Sequence, residues 1–242
     1  MNKLALITGG TKGIGKAVAF RLASEGYDLL LTYSSDNIAA QKCSDEIQSA
    51  HKNKVHLLQA DATDLTSIYI ITEFLNENQF KLDTLILNAG LTNRSSFEEM
   101  KIEDWKTVFD ANIHFPVFLI QSLLHHLKSG ASIVFTGSLM GIFPHSVSLV
   151  YGVTKSSVHA LVKNLVKFLK PYHVRVNGVA PGFVDTEWQK TKPAEIRKNI
   201  ENKLAEERFC TPEELTDAYM LLINNTYMNG EILIIDGGYS YK

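Results

Sequence analysis

Seven short, nearly continuous apolar runs punctuate the chain, at 4–8, 29–33, 55–59, 84–88, 132–136, 174–179 and 231–235. Between them lie stretches whose apolar residues recur at helical spacing: one holding Leu22 and Ala23, then 38–50, 68–75, 102–127 and 151–169. A strand that is apolar on both faces must be buried on both faces. Helices packed on either side of a mainly parallel sheet achieve that, whereas an antiparallel sheet with one wet face does not. No repeat, low-complexity tract or linker breaks the alternation. The 242 residues therefore predict an α/β fold of three layers, with a mainly parallel seven-stranded sheet in one domain spanning 1–242.

Composition narrows the function classes. A net charge of −2 supplies no electrostatic footprint for nucleic acid or an anionic membrane. The two cysteines, Cys43 and Cys210, are far apart and form neither a disulfide framework nor a zinc-ligand spacing, so no metal is expected and a reducing compartment fits. The apolar opening stops at Thr8-Gly9-Gly10, too short for a signal-peptide core, and reads as a buried first strand. No run reaches transmembrane length. A cytoplasmic protein is expected.

The first strand leads into Thr8-Gly9-Gly10-Thr11-Lys12-Gly13-Ile14-Gly15 and then a helix. Glycines let the backbone turn tightly against a pyrophosphate, and the helix N-terminus offers free N–H groups and partial positive charge. A plain strand–helix turn needs one glycine rather than three. The identity of the dinucleotide turns on the end of the second strand, where NAD-binding chains place a carboxylate about 20 residues past the loop. Here Tyr33, Ser34 and Ser35 occupy that place. Asp36 comes late and is better suited to capping the next helix. With no carboxylate to repel a 2′-phosphate, with serine donors, and with Lys12 supplying charge, NADP is favoured over NAD.

Tyr151-Gly152-Val153-Thr154-Lys155 sets a phenol and an ammonium one helical turn apart on one face. Short motifs of this kind arise by chance, so context decides. Ser138 ends the fifth apolar run thirteen residues earlier, at the carboxyl end of a strand, where open parallel sheets bind ligands.

With these motifs in order, the chain resembles the short-chain dehydrogenase/reductase family along essentially its whole length. The family's glycine motif falls on Thr8 to Gly15, its acidic residue after the third strand on Asp61, and its NNAG on Leu87-Asn88-Ala89-Gly90 with Leu for the first Asn. Its active-site tetrad falls on Asn112, Ser138, Tyr151 and Lys155, and its PG motif on Pro181-Gly182. The resemblance implies a single Rossmann-like domain with sheet order 3-2-1-4-5-6-7. It implies a cofactor set of Gly9, Thr11, Lys12, Gly13, Ile14, Gly15, Tyr33, Ser34, Ser35, Asp61, Ala62, Asn88, Ala89, Gly90, Tyr151, Lys155, Pro181, Gly182, Val184 and Thr186, the last against the nicotinamide amide. It also implies a substrate lid at about 187–210, a ribose contact from Lys155, and a proton-relay water held by Asn112. A helix-kink role for Asn112, set by Pro116 one turn later, is compatible.

The chemistry can be sized. In reduction, a carbonyl oxygen gains charge and needs a donor and then a proton, which Tyr151 would give as general acid while Ser138 orients the same oxygen. A cation about 5 Å away at an effective dielectric of about 20 is worth roughly 3 kcal/mol, enough to lower a phenol by about 2 units. Lys155 is placed to do this.

Within the family, Trp105, Pro181-Gly182-Phe183 and Thr211-Pro212-Glu213-Glu214 are most like the bacterial 3-oxoacyl-(acyl-carrier-protein) reductases. Asn93-Arg94 and Glu206 to Cys210 depart from their pattern, and no basic docking surface shows in the net charge. Three readings stay open: a 3-oxoacyl thioester reductase of fatty acid biosynthesis, with acyl carrier protein as a candidate partner; a related ketone, sugar or polyol dehydrogenase; and a non-catalytic nucleotide-sensing protein. The complete tetrad argues against the last. The stretches 105–127 and 151–169 are apolar on more than one face (Phe118, Val153 and Phe168 among others), which predicts a homo-oligomer, dimer or tetramer.

Overall fold

The structure is a computed structural model describing residues 2–144, 147–190 and 192–241. Seven strands form one sheet in the order β3-β2-β1-β4-β5-β6-β7: β1 Lys3–Thr8, β2 Tyr27–Tyr33, β3 Val55–Gln59, β4 Leu82–Leu87, β5 Leu127–Thr136, β6 Arg175–Pro181 and β7 Ile232–Ile235. Every pairing is parallel. This is the Rossmann-like order that the sequence resemblance implied.

The apolar runs are strands because both of their faces are covered. On one face, α3 (Ser67–Glu77), α5 (Phe115–Leu123) and α6 (Leu149–Leu169) bury Ile71, Leu75, Phe115, Leu119, Val158 and Val162 against Leu6, Leu85 and Ile133. On the other, α1 (Gly13–Ser24), α2 (Asn37–His51) and α9 (Thr216–Asn224) bury Leu22, Ile47, Tyr219 and Leu222 against Ile7, Leu31 and Val134. Each such side chain contributes about 1.5–3 kcal/mol relative to exposure. β1 lies between β2 and β4, so chain order reverses there, and a crevice opens beyond the strand ends.

Three elements differ from expectation. The stretch 102–127 is not one helix. It comprises α4 (Ile102–Phe109), a π-helical turn at Asp110–His114, and α5, which ends at Leu123. Pro116 sits at the start of α5, directly after the π-helical turn, and withholds an N–H from the helical backbone that runs through it. β5 begins five residues earlier than the apolar run, at Leu127 paired with Leu82, then bulges through exposed 128–130 before Ser132 pairs with Thr84. Gly130 has φ +89, a value other residues rarely adopt, which makes the bulge possible. The helix α9 was not expected from the sequence, although its buried residues Ala218, Tyr219, Leu222 and Ile223 follow helical spacing.

Phe118, Val153 and Phe168 are exposed on α5 and α6 while the opposite sides of those helices are buried. No helix among the described residues is long and apolar enough to cross a membrane.

Candidate functional site

The crevice at the strand reversal holds a cavity of about 610 Å³. Nearly all the residues expected from the sequence line it: Gly9, Thr11, Lys12, Gly13 and Ile14 from the first loop; Tyr33, Ser34 and Ser35 beyond β2; Asp61 and Ala62 beyond β3. Asn88, Ala89 and Gly90 follow β4, Ser138 follows β5, Tyr151 and Lys155 stand on α6, and Pro181, Gly182, Val184 and Thr186 close the far end.

Two expected residues are elsewhere. Gly15 does not reach the cavity; a Cβ there would stand 2.2 Å from Gly9 O and 2.6 Å from Asn88 Nδ2, so its part is to let α1 press against the loop. Asn112 lies behind the cavity and is 3% exposed. Its Oδ1 accepts from Leu91 N at 2.8 Å, and its Nδ2 donates to Leu91 O and Thr154 Oγ1, both at 2.9 Å. Both amide hydrogens are therefore committed to tying the loop after β4 to α6. The π-helical turn aims Asn112 at both partners.

The glycine loop suits a pyrophosphate. No side chain caps α1, so its first-turn N–H groups stay open toward the cavity that Gly13 and Ile14 line. Beyond β2, Asp36 behaves as its position suggested: it caps α2 through Ala39 N at 3.0 Å. It also pairs with Lys12, an exposed ion pair weak enough in water to open for a competing anion. That pair holds the Asp36 carboxyl below its ordinary range. Asp61 Oδ1 accepts from Thr63 N and Oγ1 at 2.8 and 2.9 Å, fixing the turn beside the cavity. Near its other end, Gln189 Oε1 is buried without a partner among the described residues, an acceptor that a bound donor would satisfy.

A buried polar network joins the loop to the reacting end. Thr8 Oγ1 receives Asn88 N and Ala89 N, both at 3.0 Å, while Asn88 Nδ2 donates back to Thr8 O and Gly9 O. Thr136 Oγ1 donates to Asn88 Oδ1 at 3.3 Å and meets the fully buried Tyr219 hydroxyl at 2.7 Å. Thr136 O accepts from Lys155 Nζ at 2.6 Å. Thr136 and Tyr219 escaped the sequence reading, as did His159, whose Nε2 accepts from Ser138 N at 3.4 Å. His159 stands one turn beyond Lys155 on the same helix face, a spacing that could have flagged it. A side chain at Gly137 would collide with it, since a Cβ there falls 2.3 Å from His159 Nε2. Burial, with the charges of Lys155 and Lys163, pushes His159 down to about 4, so it is neutral and able to accept.

Lys155 Nζ lies 5.5 Å from the Tyr151 ring centre, so ammonium and phenol share the same end of the cavity. The protonation states differ from those expected from the sequence. Tyr151 keeps part of its surface open to the cavity, yet burial among protein atoms raises its phenol to about 12, opposed by the hydrogen bond with Ser138 and the charge of Arg94. Burial lowers Lys155 to about 8. In the folded chain, desolvation of the phenol outweighs both the Ser138 bond and the Arg94 charge, and the phenol is held in its acid form. Trp188, from α7 (Glu187–Lys190), packs edge-on against Tyr151 with ring centres 6.3 Å apart.

This fold, glycine loop and Ser-Tyr-Lys cluster are those of a short-chain dehydrogenase. A family model described as short chain dehydrogenase matches residues 3–197, and the chain belongs to that family. It is 32% identical to the oxidoreductase YmfI of Bacillus subtilis (strain 168), over 99% of each chain. It is 30% identical to the 3-oxoacyl-[acyl-carrier-protein] reductase FabG of Aquifex aeolicus (strain VF5), over 98% of this chain and 96% of that one. Among solved structures, a short chain dehydrogenase from Burkholderia cenocepacia J2315 in complex with NADP superposes with a TM-score of 0.92 at 27% identity, covering 98% of each chain. The protein is thus an oxidoreductase of the dehydrogenase/reductase type that uses a nicotinamide cofactor.

Proposed function

We propose that the chain reduces a ketone to a secondary alcohol with NADPH, and that a 3-oxoacyl thioester is the substrate class to test first. The observation that carries this reading is the meeting of two cavities. A second one, of about 340 Å³, adjoins the first, and Ser138 and Tyr151 line both. A cofactor in one and a carbonyl in the other would meet at those two hydroxyls.

When bound, the dihydronicotinamide supplies the hydride. The chain's own part is to hold the carbonyl oxygen and protonate it. Ser138 donates to that oxygen, its own position fixed by Met140 N on its Oγ and by His159 on its backbone N–H. Tyr151 donates and then delivers its proton, a role suited to a phenol held up at about 12. Lys155, charged below about 8, steadies the phenolate left behind and stands ready to contact the ribose. Asn112 fixes the backbone around Tyr151 through Thr154, whose Oγ1 donates to Tyr151 O at 3.0 Å, and a relay water beside it would return the proton. The segment of about 187–210 would close over both cavities as a lid. NADP over NAD is supported by Tyr33, Ser34 and Ser35 in place of a ribose-binding carboxylate, by Lys12, and by the NADP carried by the Burkholderia relative. The 3-oxoacyl thioester is supported by the likeness to reductases named for that substrate, with docking of a carrier protein, a role in fatty acid biosynthesis and cytoplasmic location following from it. The exposed Phe118, Val153 and Phe168 support a homodimer or homotetramer.

The test is optical measurement of cofactor consumption with a short 3-oxoacyl thioester, NADPH and NADH side by side. NADPH should be preferred by about tenfold or more. Because Lys155 loses its charge above about 8, reduction should decline as pH rises through that value. Tight NADPH binding without turnover of this thioester, with turnover of a sugar or polyol instead, would reassign the substrate and leave the cofactor reading intact.

A further inference from the structure

The 340 Å³ cavity is largely apolar, with Leu139, Met140, Phe183 and Trp188 in its walls, but two cations stand at it. Arg94 comes from the loop after β4 and Lys192 from the lid segment, on opposite sides in the chain. No acidic side chain lines the cavity among the described residues, and neither cation joins an ion pair there. The rest of the lid is different. Lys190, Arg197, Lys198 and Arg208 each hold a carboxylate, and Lys203 is in open solvent. Lys192 alone is half-buried without a counter-charge, and burial together with Arg94 lowers its ammonium below the ordinary range. An anion between the two would offset both their repulsion and the partial desolvation of Lys192.

Resting on the reductase reading above, we infer that this cavity takes a carbonyl substrate carrying an anionic group, which Arg94 and Lys192 clasp while the carbonyl meets Ser138 and Tyr151. A carboxylate on a short oxo acid and a phosphate on the carrier arm of a thioester share this chemistry. Arg94 offers a planar fork of donors and Lys192 a mobile point charge, so either oxyanion is held by charge-assisted hydrogen bonds. Since Lys192 rides on the lid segment, the anion would also draw that segment toward the loop after β4, closing the cavity on substrates that carry the charge. A neutral ketone would reach the same hydroxyls without that clasp.

The experiment compares two matched pairs by NADPH consumption: 3-oxobutanoate with its neutral methyl ester, and the 3-oxobutanoyl thioesters of 4′-phosphopantetheine and of pantetheine. Each is run on the wild type, on Arg94→Gln, on Lys192→Gln and on the double variant. The expected result is a kcat/KM preference for the anionic member of one pair of about 10–100-fold, carried mainly by KM, that collapses toward one in the double variant. The responding pair identifies the source, carboxylate or phosphate. A preference near one in both pairs, or one that survives the double substitution, overturns the inference. Binding is read separately by calorimetry on enzyme saturated with NADP⁺, titrated with acetate and with inorganic phosphate. Saturable uptake that the double variant loses supports the site, and no uptake of either anion overturns it. Uptake that depends on Arg94 and Lys192, with no ketone consumed, would sink the reductase reading and leave the anion site standing. Arg94 is exposed, so its single variant keeps the test alive should the double variant fold poorly.

Discussion

The two walls of the site are built differently. The wall formed by the first loop and the ends of β4 and β5 is buried and cross-linked: Thr8, Asn88, Thr136, Tyr219, Asn112 and Thr154 satisfy one another, and most are under 10% exposed. The opposite wall, 187–210, has two short helices with no buried residue, α7 and α8 (Ala194–Glu201). It is anchored at its base, where Leu204 and Phe209 pack on Phe183 and where Arg197 lies over the Phe209 ring at 4.4 Å and bonds Asp185. On the proposed reading, rigidity falls where reacting atoms would be placed within fractions of an ångström, and weak anchoring where substrate would enter.

The sharpest way to break this contrast is to cut the rigid wall. Asn112→Leu strands Leu91 N and O and takes one of the two bonds of Thr154 Oγ1, which keeps Tyr151 O, and should cost about 2–4 kcal/mol of stability, read as a fall in Tm of about 5–10 °C with lower kcat. An unchanged Tm would mean the loop after β4 is held by packing alone. Gly15→Ala should cost about 1–3 kcal/mol, most of it in cofactor affinity, because the added methyl meets Gly9 O. Calorimetric titration with NADPH reads it, and wild-type affinity would show that the loop yields. The smallest effect belongs to the weakly anchored wall. Arg197→Ala should raise KM a few-fold and leave Tm within about 2 °C, since the pair with Asp185 is partly open to solvent and α8 buries no residue. A large loss of Tm there would erase the distinction between the walls.

The same division decides what could be read from sequence. The glycine loop, Tyr151, Lys155, Ser138 and most of the cavity wall were legible because each is a local device: a loop between strand and helix, a one-turn spacing, a strand end. Asp36 as the cap of α2 was legible for the same reason. Thr136, Tyr219 and His159 were not, because their roles exist only across elements brought together by the sheet. The start of β5 was hidden by polar, exposed 128–130, which bulge out of the ladder between Leu127 and Ser132 and present no apolar face. The π-helical turn kept helical periodicity and so passed for α-helix. The phenol of Tyr151 was expected to be lowered by Lys155, but the depth of burial that raises it instead is a property of the packed whole.

The central claim is that Tyr151 is the proton donor of a nicotinamide-dependent ketone reduction. The measurement is kcat of wild type and Tyr151→Phe on whichever ketone of the panel the wild type reduces fastest, with NADPH affinity measured on both. The expected result is a loss of about 10²–10⁴-fold in kcat with cofactor affinity unchanged. Near-normal turnover by Tyr151→Phe would contradict the claim and move the proton to another group.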